Sequence, residues 1–220
     1  MAGNMTDDAF EKIERMIVLQ EIAPGSLISE KQLTEATGIG RTPVREALQR
    51  LARDRMVEIH PQRGVLVPPS SIEAQLKLLE LRRNLEPFAV RLAAERASAQ
   101  QRDRATALMT RARSLDIPLE DFPLFLRDAH DLIVAAAHNE FLSVAMAPLQ
   151  GLSRRFWFSH LSQPAADIAE AATLHAAVLE AVAGGDVDAA AEASLALNDY
   201  LVRFAYATLP QQGGATSSAG

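Results

Sequence analysis

Residues 29–68 constrain this chain more than any other stretch. They read as two short helices followed by a small hairpin. Ser29 is placed to cap a helix, and Gln32 three residues later supplies the reciprocal half of a capping box. Gly38 ends that helix. Thr42-Pro43 predicts the next start, with Thr42 as N-cap and Pro43 at the first helical position, where a missing N–H costs nothing. Val44, Ala47, Leu48 and Leu51 repeat at helical spacing to about Arg53 and form a buried stripe. Val57–His60 and Val65–Val67 alternate as short strands around the turn Gln62-Arg63-Gly64.

The other face of that helix carries Arg41 and Arg45, four residues apart and flanking Thr42. An arginine forks onto guanine in a major groove or onto a phosphate, and a helix N-terminus favours phosphate independently. Arg63 at the hairpin tip is placed to enter a neighbouring minor groove, with Gly64 permitting the tight turn. Solvated surface charge explains any one of these arginines. It explains poorly a helix pair, an i,i+4 arginine pair and an Arg-Gly hairpin in this order.

The net charge of −6 runs against a nucleic-acid partner, so its distribution matters. Residues 1–69 hold 9 basic and 10 acidic side chains, and residues 70–220 hold 13 and 18. Residues 38–63 carry 6 arginines against 3 acids. The positive charge therefore sits on the segment that resembles a DNA reader. Cysteine is absent, which removes disulfides and thiolate chemistry and points to a reducing cytoplasm. No signal peptide and no membrane-spanning run is visible, so a cytoplasmic protein is expected.

Upstream, residues 6–21 read as an amphipathic helix on Phe10, Ile13 and Ile17, with Asp7 and Asp8 near its positive end. Pro24-Gly25 marks a turn, and Pro68-Pro69-Ser70 a short stiff linker. From Ser71 to about Leu209 the pattern is helical, with breaks near Ser98–Gln101, Asp116–Pro118, His138-Asn139, Gln163-Pro164 and Gly184–Asp186. Aromatics are few, at 5%, and Ala and Leu abundant, which favours helices packed on helices. The expected architecture is mostly α. A winged helix-turn-helix covers 6–68, an all-α bundle of six or seven helices covers 69–209, and an uncharged Gly/Ser/Ala tail at 210–220 is expected to be disordered.

The first segment resembles the winged helix-turn-helix of the GntR regulators. The matching residues are Ser29-Glu30, Leu33, Gly38, Arg41-Thr42-Pro43-Val44-Arg45-Glu46-Ala47-Leu48, Leu51, Arg63-Gly64 and Val65–Val67. The resemblance implies that Arg41, Thr42, Arg45 and the Arg63-Gly64 wing contact operator DNA, and that Lys31 touches phosphate. Glu46 is expected to orient neighbouring arginines.

The rest resembles the helical FCD domain of the FadR subfamily. The resemblance rests on Leu81–Glu86 with Ala93-Ala94-Glu95, on His130 nine residues before Asn139, on Leu174–Leu179 containing His175, and on Gly185-Asp186. It implies a bundle that dimerises and binds a small effector, often a carboxylate. Periodicity independently turns both histidines inward. His130 lies on the stripe Phe122, Leu126, Ile133, Ala137, and His175 on Ile168, Ala171, Ala172, Val178, Leu179, Val182.

Many relatives of this type hold a divalent metal through an Asp and three His. Here two of those positions are Leu126 and Leu197, leaving His130 and His175, fewer than the three or four ligands usual for zinc. No tightly bound metal is expected. A zinc ion on the two histidines, completed by His160 or His138, is the alternative left open. Without metal an anionic effector needs another positive partner, and Arg82 is the first candidate, with Arg154 or Arg155 the second.

These features predict a ligand-responsive repressor that binds a palindromic operator as a homodimer. A metal-dependent hydrolase built on His130 and His175 is the alternative. It lacks a nucleophile elbow, a Gly-rich phosphate loop, an HExxH motif and an acidic partner for the histidines.

Overall fold

The computed structural model describes residues 5–209. The expected tail, 210–220, lies outside them. α1 (Met5–Val18) buries Ala9, Ile13, Ile17 and Val18. It ends three residues before the predicted Glu21, because Gln20 adopts a left-handed φ of 59° and its N–H closes back on Ile17. α2 (Glu30–Thr37) has the complete capping box between Ser29 and Gln32 and ends on left-handed Gly38.

α3 (Arg41–Arg53) starts earlier than predicted. Gly40, not Thr42, is the N-cap, and no side chain caps it. The extended Gly40 already offers its carbonyl to Val44 N–H, so Arg41 and Thr42 lie inside the first turn. Pro43 remains within that turn, where its missing N–H still costs no intrahelical bond.

The hairpin strands are β2 (Glu58–His60) and β3 (Gly64–Leu66), and a further strand, β1 (Leu27–Ile28), pairs with β3. The antiparallel order is β1-β3-β2, with Ile28 opposite Val65 and Ile59 opposite Val65 on the other side. Two residues between a turn and a capped helix carry too short an alternation to read as a strand. β3, sitting between two partners, fixes them there.

The described residues then give six helices: α4 (Ile72–Arg96), α5 (Ala99–Arg113), α6 (Phe122–Ala136), α7 (Glu140–Ser159), α8 (Pro164–Gly184) and α9 (Val187–Ala207). Every predicted break is present. α4 and α7 continue through Pro87 and Pro148. α4 packs on α9, α5 on α8, and α8 on α9. One apolar core runs from α1 and α3 into α6–α9, so the winged head is seated on the bundle. α1 is the intermediary, packing on α3 on one side and on α7 and α6 on the other. None of the described helices is long and apolar enough to cross a membrane.

Candidate functional site

The α3 N-terminus presents Arg41, Thr42 and Arg45 to solvent, while Val44, Ala47, Leu48 and Leu51 are buried beneath. Arg45 Nε donates to Glu30 Oε2 on α2 at 2.7 Å. That bond holds the guanidinium over the junction of the two helices. The orienting role expected of Glu46 therefore falls to Glu30. Glu46 instead accepts the Thr6 hydroxyl at 2.6 Å, tying α3 to α1. Lys31 is exposed and pairs with Glu35 at 3.7 Å, a contact too loose and wet to hold it away from a phosphate.

Arg63 is exposed in the wing turn. Gly64 has a different duty from the one its turn position suggests. Its φ is +118°, and a Cβ there would stand 2.7 Å from the Ile28 carbonyl oxygen. It is the residue that lets β3 approach β1.

The second site lies inside the bundle. Arg82 (α4), His130 (α6), Arg154 (α7) and His175 (α8) converge on one cavity of about 20 Å3, whose wall also includes Leu126, Ser153, Trp157 and Tyr200. That volume is room for about one water molecule. The two imidazole centroids are 5.5 Å apart.

His175 Nδ1 lies 2.8 Å from the Ala171 carbonyl. A carbonyl only accepts, so Nδ1 carries the proton and Nε2 is left as an acceptor. Among the described residues, both ring nitrogens of buried His130 lack a partner. Burial, reinforced by Arg82 and Arg154, lowers the His175 pKa to about 4. Burial, His175 and the same arginines push His130 well below its ordinary range. Both rings are neutral at pH 7.

The arginines are compensated by different means. Arg82 Nε and Nη2 donate to Glu86 Oε1 at 3.0 and 2.5 Å, one helical turn away. This is a buried pair rather than a surface one, since the two side chains are only 3% and 8% exposed. Arg154 Nη2 donates to Glu14 of α1, while its Nη1 has no partner among the described residues. Tyr200, its pKa pushed up to about 12 by burial, accepts Trp157 Nε1–H at 2.9 Å and keeps its own proton.

Arg155 is not part of this cavity. It donates to the Met56 carbonyl at 3.4 Å and borders a separate groove between α4 and α7. Adjacent residues on a helix are rotated by about 100°, so Arg154 and Arg155 serve different surfaces. His138 is exposed at a helix end, and His160 stacks on Phe156 with Nδ1 near Ser159 Oγ. Neither completes a ligand set. Leu126 lines the cavity and Leu197 is buried. Among the described residues no three His, Cys, Asp or Glu side chains are grouped to hold a metal ion. Two imidazoles with two arginines against them and no carboxylate in the cavity wall do not fit a divalent cation.

Trp157 and Ser153 lie on α7 within three residues of Arg154, and sequence reasoning did not single them out. Tyr200 and Glu14 carried one signal each, a polar group on an otherwise apolar helix face.

Residues 5–67 match the bacterial regulatory proteins of the gntR family, and residues 77–199 match the FCD domain. The chain belongs to the GntR family of transcriptional regulators, with an FCD domain. It is 29% identical over 188 residues to an HTH-type transcriptional regulator in an unstable DNA locus of Streptomyces ambofaciens, covering 82% of this chain and 76% of that one. It is 25% identical over 221 residues to the galactonate operon transcriptional repressor of Escherichia coli, covering 90% and 95%. Its fold is that of E. coli McbR/YncC, with a TM-score of 0.73 and 19% identity over 93% of this chain and 98% of that one. Such a chain is a regulator of transcription rather than an enzyme, and the hydrolase alternative falls with that.

Proposed function

We propose that this regulator is a homodimeric repressor, released from a palindromic operator by a small carboxylate. Residues 6–68 form the reading head and 69–209 the effector-binding and dimerisation body. In each protomer Arg41, Thr42 and Arg45 enter the major groove, Lys31 contacts phosphate, and Arg63 on the Gly64 turn reaches the minor groove. The effector meets Arg82, Arg154, His130 and His175. Arg155 is left out because it faces the other side of α7.

The observation that carries the effector reading is the cavity's chemistry. Buried Arg154 Nη1 and both nitrogens of buried His130 are unsatisfied, and native proteins rarely leave such groups unpaired without a ligand or water in view. The free Arg154 Nη1–H and the one N–H of neutral His130, beside a second arginine, are donors that suit a carboxylate. A relative that is a galactonate operon repressor is compatible with an acid as the signal.

Homodimerisation is supported by an apolar groove of about 730 Å3 between α4 and α7, lined by Leu78, Leu81, Leu85, Val144, Pro148 and Leu152. A two-fold dimer presents two heads to a two-fold site.

The test uses an operator selected from random duplexes and measured by fluorescence anisotropy. Arg45→Ala is expected to lower affinity by about 1–3 kcal/mol if it reads a base. The salt slope would instead drop by about one unit if it meets phosphate. Unchanged affinity and slope would remove Arg45 from the interface.

A further inference from the structure

The cavity and the reading head meet at Arg154 and His130. Arg154 and His130 line the effector cavity and also wall a second cleft of about 300 Å3 between α1 and the bundle. On the far side of that cleft stands Glu14, an acid on the buried face of α1 and only 6% exposed. Its Oε1 accepts from Arg154 and its Oε2 from Arg127 Nη1 at 3.3 Å. Gly151 on α7 lies opposite, and a Cβ there would stand 3.8 Å from Glu14 Oε1. The carboxylate thus rests on α7 beside the cavity. It belongs to the head, and it occupies Arg154 Nη2, while Nη1 has no partner among the described residues.

We propose that Glu14 is a tethered stand-in for the effector: its carboxylate holds Arg154 when the cavity is empty, and an arriving carboxylate displaces it and loosens α1 from the bundle. This rests on the reading that the cavity receives an acid. Removing the carboxylate from a buried arginine pair is strongly destabilising, so Arg154 favours keeping one, and the head and the effector supply alternative ones. A guanidinium has five donors, but the cavity holds only about one water, so an acid fits there only if Arg154 swings, and that swing breaks its bond to Glu14. The competition gives the effector a differential affinity for the two head positions, which any ligand-driven change requires. Coupling is reciprocal: whatever factor Glu14 costs the effector, the effector costs the docking of α1. Arg127 also pairs with Glu11 of α1, so displacement of Glu14 frees the head to pivot rather than detach.

Trp157 lines the cavity and is the chain's single tryptophan, so its fluorescence reports an arrival there. The full-length protein is titrated with acetate, succinate and citrate at constant ionic strength. Wild type is compared with Glu14→Gln, Glu14→Asp and Arg154→Gln, each first shown folded by circular dichroism. At least one acid should quench or shift Trp157 in wild type. Glu14→Gln should bind it about tenfold more tightly, Glu14→Asp like wild type, and Arg154→Gln not at all.

In hydrogen exchange without any acid, α1 amides should exchange faster in Glu14→Gln than in wild type. Equal dissociation constants for wild type and Glu14→Gln, with α1 protection unchanged, would overturn the exchange mechanism and leave the acid site standing. No Trp157 response to any acid in any of the four proteins would overturn the acid site, and the exchange mechanism with it.

Discussion

The two buried histidines show how a residue acquires a property from its surroundings. Spacing alone turned both rings inward, and the structure brings them to one cavity. Their electrostatics come from elsewhere, because desolvation and two arginines on other helices keep them neutral. His175 has an ordinary pKa near 6.5 and a folded value of about 4. Between those values the unfolded chain takes up a proton that the folded chain refuses. Its contribution is therefore complete above pH 6.5 and is lost as pH falls toward 4, by roughly 3 kcal/mol at about 1.4 kcal/mol per unit. His130 acts in the same direction. His175→Gln should flatten the stability curve over this window, measured by urea unfolding at pH 7.5, 6, 5 and 4. Parallel curves for wild type and variant would show that His175 titrates normally in the folded protein. What the sequence withheld at this scale is partnership across distance. Glu14 and Arg154 are 140 residues apart, and no periodicity connects them.

Among the elements, those that close on local rules were the most legible. Ser29 with Gln32, Gly38 and the six bundle helices follow from caps and breaks, since such signals act within a few residues. The α3 start was misplaced because a backbone cap at Gly40 leaves no side-chain signature. β1 was invisible because its two residues are strand only through β3. That dependence makes Gly64 a test of the wing as a unit. A side chain there meets both a left-handed φ and the Ile28 carbonyl, which costs about 1–3 kcal/mol in backbone strain. The core of the head is remote from this contact, so the cost falls on β1–β3. Gly64→Ala should lower operator affinity several-fold while the bundle melts as before. If the variant binds DNA like wild type, the wing's position does not matter for recognition.

For the whole molecule, a single chain leaves apolar surface that a soluble body ordinarily covers. Phe141 and Val144 on α7 are 77% and 79% exposed, and Leu81 and Phe88 on α4 are each 48% exposed. They recur at helical spacing, Leu81-Leu85-Phe88 along one helix and Phe141-Val144-Pro148 along the other, so they form stripes flanking one groove. Scattered apolar residues need no explanation, but paired stripes mark an interface. A two-fold dimer through this face would bury both copies of the groove at once. It would also fix the separation of the two heads, which α1 ties to the same bundle. Linking two weak half-site contacts raises affinity by about 100-fold or more when the spacing is right. Val144→Glu puts a charge into that face without touching the head or the cavity of His130 and His175. It should give a folded monomer by sedimentation velocity, with operator affinity lower by about that factor and affinity for an isolated half-site unchanged. A variant that stays dimeric would place the two-fold axis on another face. A monomer with full operator affinity would mean that one head suffices, and the palindrome would lose its reason.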